Sequence, residues 1–244
     1  MKEKINKFIL GTRIKPWFFD CSRMHFISLK KYVLYFTEKY IKDNDKVLDF
    51  WCWNWPYKNI YKNKKIDYVW IDIWNSPEFN KNYIVYKWWK TPFKNEEFNI
   101  VVSTQVFEHL KDPFFYANEL ERITKKNWYL LITIAHIWEY HPYPNHYFNI
   151  MKCSIPEMFK NCEIIDVKWD TSEIQNIFMF FMKYIWKIRV IWPIIIMIIN
   201  FYFEFLNKIW LHKIWPQEYN KMTWNILIIL KKNNAKNINN NNNI

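Results

Sequence analysis

Asp49 sits in a short apolar run, Val47-Leu48-Asp49-Phe50, and is followed by Trp51, Trp53 and Trp55 at alternate positions around Cys52 and Asn54. Asp72 and Ile73 stand at the end of a second such run. A carboxylate at the tip of a buried strand is well placed to accept hydrogen bonds from ribose hydroxyls. Further along, His109 follows Glu108, and the stretch 136–148 reads H-I-W-E-Y-H-P-Y-P-N-H-Y-F, with His141 and His146 in it. Imidazole titrates near neutral pH, so either of these two histidines could take the proton of a hydroxyl group. Two plainer readings stay open: His-Pro-Tyr-Pro as a rigid turn, and Glu108-His109 as a cap for the next helix. The histidines show no metal-ligand spacing, so no metal is expected, and His25 and His212 read as surface or packing residues. Cys21, Cys52, Cys153 and Cys162 form no CxxC pair and read as reduced thiols of a cytoplasmic protein.

The elements that must position these groups carry an odd composition. Glycine occurs once in 244 residues, at Gly11, and tryptophan 16 times. Ordinary usage of about 7% would give roughly 17 glycines, which equals the glycines and tryptophans of this chain taken together. Several tryptophans stand where backbone should turn at positive φ, a conformation hostile to bulky side chains. The clearest are Trp51, Trp53, Trp55 and, in a helix-to-strand turn, Trp128, whereas Trp17, Trp138 and Trp169 stay open between glycine and genuine tryptophan. The expectation is that most of these tryptophans stand for glycines, from UGA codons of a glycine-reassigned code translated as Trp. Abundant Lys, Asn, Ile, Tyr and Phe beside three Ala and four Arg suit an AT-rich gene of that kind.

Apolar spacing predicts a helix over 28–41, then strands at 47–50, 66–71, 83–86, 98–103 and 129–134, with a helix turn near 57–61. Asp112-Pro113 predicts the start of a helix running to about Lys125, Asp as N-cap and Pro at the first helical position. Strands alternating with helices argue for a doubly wound, mostly parallel α/β sheet, with ligands at the carboxyl ends of its strands. With glycine at 51, 53 and 55 the loop after the first strand reads D-x-G-x-G-x-G. The dinucleotide fingerprint is G-x-G-x-x-G, so this spacing favours a nucleoside ligand without a pyrophosphate.

On five stretches in order, the chain resembles the class I S-adenosylmethionine-dependent methyltransferases, of the type 11 kind. The stretches are 47–57 with Trp in the glycine slots, Tyr68-Val69-Trp70-Ile71-Asp72, Thr91-Pro92-Phe93 with 97–101, Phe107-Glu108-His109-Leu110-Lys111-Asp112-Pro113, and Lys126-Asn127-Trp128-Tyr129-Leu130. The resemblance implies a Rossmann-like seven-stranded sheet, S-adenosyl-L-methionine as cofactor, and a helical insertion near the C-terminus. It implies that Asp49 organises the cofactor loop, that Trp51, Cys52, Trp53 and Trp55 wrap the methionine moiety, that Asp72 with Ile73 holds the ribose, and that Ser103, Thr104 and Gln105 line the methionine side. His109, His141 and His146 are the candidate catalytic residues. Members often carry a carboxylate a few positions before the Pro-Phe pair, near the adenine; Tyr86-Lys87-Trp88-Trp89-Lys90 has none. The loop after the fifth strand also resembles that of members associated with cell-surface glycans. The implied acceptor is a small molecule or lipid-linked glycan precursor with a hydroxyl or carboxyl group.

The net charge of +12 raises nucleic acid as a partner, but compositional drift toward Lys gives the same excess and no nucleic-acid-binding signature is present. Residues 172–215 are unusually apolar, yet Asn200 and Glu204 interrupt the run and it falls short of the ~20 apolar residues of a spanning helix. Flanked by Lys183, Lys187, Arg189, Lys208 and Lys213, the region reads either as a hairpin at the inner membrane face or as a helical cap. Strands at 163–167 and 225–230 would enclose it. The expected division is an N-terminal helical segment (1–45), a methyltransferase core (46–171), the apolar hairpin (172–222), a last strand (223–231) and an Asn/Lys tail. If the tryptophans are genuine, three indoles crowd the cofactor loop and the domain would be a non-catalytic binding or scaffold protein.

Overall fold

Seven strands and five α-helices form among the residues described by a computed structural model, 14–51, 57–73, 83–85, 90–141, 144–185, 192–208 and 225–234. In chain order the helices are α1 (Arg23–Tyr40), α2 (Pro113–Ile123), α3 (Ser154–Met158), α4 (Glu173–Ile185) and α5 (Trp192–Lys208). The strands are β1 (Lys46–Phe50), β2 (Asp67–Asp72), β3 (Tyr83–Val85), β4 (Phe98–Thr104), β5 (Thr124–Ala135), β6 (Cys162–Trp169) and β7 (Asn225–Lys232). They form one sheet in the order β3-β2-β1-β4-β5-β7-β6. Four neighbouring pairs, β1–β2, β1–β4, β2–β3 and β4–β5, are parallel. This is the expected doubly wound, mostly parallel seven-stranded α/β sheet, with a helical insertion between β6 and β7.

The chain divides into two compact units, residues 33–167 with 226–244, and residues 1–32 with 168–225. In the first, Leu48, Phe50, Ile100, Val101, Leu130, Leu131 and Ile228 are all buried. Burial on both faces is what makes β1 and β4 read as continuous apolar runs rather than alternating ones. Asp112 Oδ1 accepts from Phe115 N at 2.9 Å, so the predicted cap of α2 forms. Helix α2 ends at Ile123 and passes directly into β5, which starts five residues before the predicted 129. The register between β4 and β5 slips at this point, between Phe98 and Ile100.

The second unit explains two polar interruptions of the apolar region. Asn200 is fully buried and its Nδ2 donates to Phe18 O and Asp20 O at 2.6 and 2.9 Å. Glu204 accepts from Arg23, whose guanidinium also lies 3.9 Å over the Phe18 ring. His25 is a packing residue, as expected: its Nδ1 is 2.6 Å from Asp170 Oδ2, beside the buried Asn225. His212 lies outside the described residues.

Candidate active site

In an open sheet ligands bind where strand order reverses, here between β1 and β4. The two strands flanking that point end in the same uncommon way. Trp51, one residue past β1, has φ 59°, and Gln105, one past β4, has φ 57°. A left-handed backbone costs a residue with a Cβ roughly 1 kcal/mol or more. Each amide still donates outward across the sheet, Trp51 N to Ile71 O at 2.8 Å and Gln105 N to Thr133 O at 3.0 Å. The chain therefore leaves the sheet by a left-handed turn on both sides of the crevice, which only glycine does without steric cost. Trp51 thus occupies a glycine-like position, as expected. Trp128 does not: the left-handed residue in that turn is Asn127, at φ 63°, and Trp128 lies within β5. Asn tolerates this backbone because its short amide can hydrogen-bond locally.

The carboxylates expected at the strand tips are there and are buried. Asp49 Oδ2 accepts from the Tyr68 hydroxyl at 2.5 Å. Burial pushes the Asp49 carboxyl up to about 7, the Tyr68 hydrogen bond opposes this, and the nearby Asp72 adds to it. Asp49 is registered with Trp70 and Phe50 with Ile71, which brings Asp72 level with Trp51. Asp72 Oδ1 accepts from Ile73 N at 2.7 Å. On the other side Asp49 is registered with Val102, so Ser103 and Thr104 extend β4 along the same edge. The Ser103 hydroxyl is buried with no hydrogen-bond partner among the described residues. Gln105 is held by Thr133, whose Oγ1 accepts from its backbone N at 3.1 Å and its side-chain amide at 3.3 Å. Two carboxyls, a buried hydroxyl and a sharply turned backbone along one edge suit a nucleoside that carries a positive charge. Cys52, Trp53 and Trp55, and the stretch 86–89 before the Pro-Phe pair, lie outside the described residues.

His109 and Glu108 are not helix caps. They form a buried 3-10 turn, Phe107–His109, while Asp112 caps α2. The loop after β5 is strapped to this turn: Tyr147 N and Phe148 N donate to Glu108 O, at 2.8 and 3.4 Å, and His109 Nδ1 meets Asn145 O at 2.5 Å. This gathers the three candidate histidines, with ring centroids 4.9 Å apart for His109–His141 and 4.5 Å for His141–His146. His146 is engaged at both nitrogens, Nδ1 by His141 N at 3.4 Å and Nε2 by Asn149 Oδ1 at 3.0 Å. A carboxamide oxygen can only accept, so Nε2 carries the proton. Beside this loop a cleft of about 300 Å³ is lined by Lys111, Asp112, Phe148, Asn149 and Met158 among others.

Four residues escape a reading of the sequence. Tyr68 is the hydroxyl partner of Asp49, Asn149 fixes His146, and Glu119 with Arg122 anchors the approach to β4. Arg122 donates to both oxygens of Glu119 at 2.7 Å, and Thr91 donates twice to Oε1 at 2.7 Å. The i,i+3 spacing of Glu119 and Arg122 on a helix was the one available signal.

Residues 63–132 match a family described as a methyltransferase domain. No curated protein matches the chain. Among solved structures, a SAM-dependent methyltransferase from Archaeoglobus fulgidus is 15% identical with a TM-score of 0.55, over 95% of this chain and 99% of that one. A Haemonchus contortus phosphoethanolamine N-methyltransferase, in complex with phosphomonomethylethanolamine and S-adenosylhomocysteine, is 14% identical with a TM-score of 0.53, over 94% of this chain and 56% of that one. The [4+2]-cyclase SpnF is 11% identical with a TM-score of 0.52, over 84% of this chain and 80% of that one. At these identities the likeness is one of fold. Residues 63–132 thus resemble a methyltransferase domain, and the sheet shares the fold of S-adenosylmethionine-dependent methyltransferases such as that of Archaeoglobus fulgidus.

Proposed function

We propose that the protein methylates a hydroxyl or carboxyl group of a small-molecule or lipid-linked glycan-precursor acceptor. The observation that carries this is one alignment of parts. Acidic strand tips suited to a nucleoside lie at the switch point, and the chain that continues from β4 leads within four residues of Gln105 to the histidine cluster. Bound S-adenosylmethionine would supply a methyl group on a positively charged sulfur. Asp72 would hold the ribose, and Asp49 would set the turn at Trp51. The main demand on the rest of the site is then proximity and alignment of the acceptor oxygen. His109 and His141 would draw off its proton, with His146 positioning His141.

The second reading is a binding or scaffold protein. It is favoured by the Trp51 ring, which is only 7% exposed and stacks on Phe50 at a centroid distance of 6.2 Å. An indole packed in the cradle would leave little room for a cofactor. Titration with S-adenosylmethionine separates the readings, comparing the sequence as written with Trp51→Gly, Trp53→Gly, Trp55→Gly. The glycine form is expected to bind and the tryptophan form not to, and adding Asp72→Ala should weaken binding at least tenfold. Binding by neither form overturns the methyltransferase reading; equal binding by both overturns the recoding of tryptophan.

A membrane surface is the proposed setting. No helix among the described residues is long and apolar enough to cross a membrane. Helix α5 instead buries Ile196, Asn200 and Phe203 and exposes Ile194, Ile198, Phe201, Tyr202 and Phe205. On α4, Ile177, Phe181 and Tyr184 are exposed likewise. Contiguous exposed apolar surface of this kind marks an interaction site, and a helix pair with outward aromatics and aliphatics suits the headgroup boundary of a bilayer. Lys187, Arg189 and Lys213, expected to flank it, lie outside the described residues.

A further inference from the structure

We propose that Glu108, His109 and His141 form a binding site for one divalent transition-metal ion, of the two-histidine, one-carboxylate type. A ligand atom from each of the three residues lies within 4.8 Å of the other two. Nitrogen and carboxylate oxygen bind zinc-like ions at about 2.0–2.2 Å, so two ligand atoms on a tetrahedral ion are about 3.3 Å apart. A spacing of at most 4.8 Å closes to that by side-chain movement of about 1.5 Å or less, and His141, half-buried on a loop, is the member able to make it.

The tautomers support this. His109 Nδ1 faces the carbonyl of Asn145, and His141 Nδ1 faces the carbonyl of Glu139 at 3.0 Å. A carbonyl only accepts, so in each ring Nδ1 carries the proton, and the neutral ring has its lone pair on Nε2. Metal-binding histidines are characteristically fixed in this way, the second nitrogen donating to a backbone carbonyl or carboxylate. The loop that carries His141 is itself tied down, through Tyr147 N and Phe148 N on Glu108 O and through His146, which accepts from His141 N and is fixed by Asn149. The third ligand is a buried carboxylate placed against two imidazoles.

Two imidazoles and one carboxylate select zinc, iron, cobalt, nickel or copper over magnesium and calcium, which prefer oxygen alone. Three protein ligands leave at least one coordination position open. If the methyltransferase reading holds, an acceptor oxygen in that position would lose its proton more readily, and the imidazoles would serve as ligands rather than bases. Metal binding itself does not rest on that reading.

The full chain, stripped with a chelator, is titrated with Zn²⁺ by calorimetry and with Co²⁺ by visible absorption, without S-adenosylmethionine. Uptake of one equivalent is expected, with a Co²⁺ spectrum of nitrogen-oxygen coordination and no competition from excess Mg²⁺. His141→Ala should weaken affinity at least tenfold, and His109→Ala and Glu108→Gln by as much or more. His141 lies on a half-buried loop, so its variant is the one that keeps the fold, checked by an unchanged circular dichroism spectrum. No stoichiometric uptake by the unsubstituted chain, or wild-type affinity in His141→Ala, overturns the site.

Discussion

Asp49→Asn should change how stability depends on pH, because this carboxyl is buried beside Tyr68 and Asp72 and titrates near 7 in the folded chain. Unfolded, it returns to an ordinary value of 3.8. Between those values the folded state holds a proton that the unfolded state has released, so stability falls as pH rises through the window. A difference of about three pKa units corresponds to a ceiling of about 4 kcal/mol. Relaxation around the newly charged carboxylate lowers this, and about half of it is the expected size. For a chain of this length that is roughly 4–8 °C in Tm. The substituted carboxamide would keep an oxygen for the Tyr68 hydroxyl and carry no charge at any pH. In thermal unfolding between pH 4 and 8, which spans the window, the wild-type Tm should therefore fall by that much more than the variant's, other carboxyls cancelling in the difference. Parallel curves would refute the reasoning. S-adenosylmethionine carries positive charge and, on the proposed function, favours ionised Asp49, so its affinity for a binding-competent chain should rise from pH 6 to 8 and lose that rise in Asp49→Asn.

Other consequences are open to direct measurement. Trp51→Gly alone relieves about 1 kcal/mol of left-handed strain but deletes a buried ring worth about 3–5 kcal/mol, so urea unfolding should show a net loss of about 2–4 kcal/mol; a net gain would mean that the indole is not packed on Phe50. Arg122→Ala leaves the nearly buried Glu119 carboxylate with the Thr91 donors but no cation and should cost about 2–3 kcal/mol in the same assay, where less than 1 would contradict the bidentate contact. Ile198→Asp with Phe201→Asp should cut co-sedimentation with anionic lipid vesicles at least tenfold without changing Tm by more than a few degrees, since both side chains are exposed; unchanged sedimentation would remove the membrane surface from the proposal.

Much of the fold is written locally. Seven strands, the Asp112-Pro113 helix start and the acids at 49 and 72 are legible because apolar runs, caps and turn residues act over a few neighbours. The shortage of glycine likewise points to Trp51, whose backbone is left-handed in the structure. Trp128 breaks that pattern, because the neighbouring Asn127 takes the left-handed turn at lower cost. Local sequence shows that a turn is needed there without deciding which residue makes it. What the sequence alone leaves undecided depends on distance through space. That Asp49 meets Tyr68 follows from the parallel pairing of β1 with β2, and its raised pKa follows from the burial that pairing creates. Glu108 and His109 lie more than thirty positions before His141, and no spacing rule joins them. They meet only because the backbone of the loop after β5 bonds to the carbonyl of Glu108. Propensity and capping are short-range energies that a sequence displays directly. The protonation of a buried acid and the tautomers of gathered histidines are set by desolvation and by hydrogen bonds between distant segments, and those exist only once the sheet has assembled.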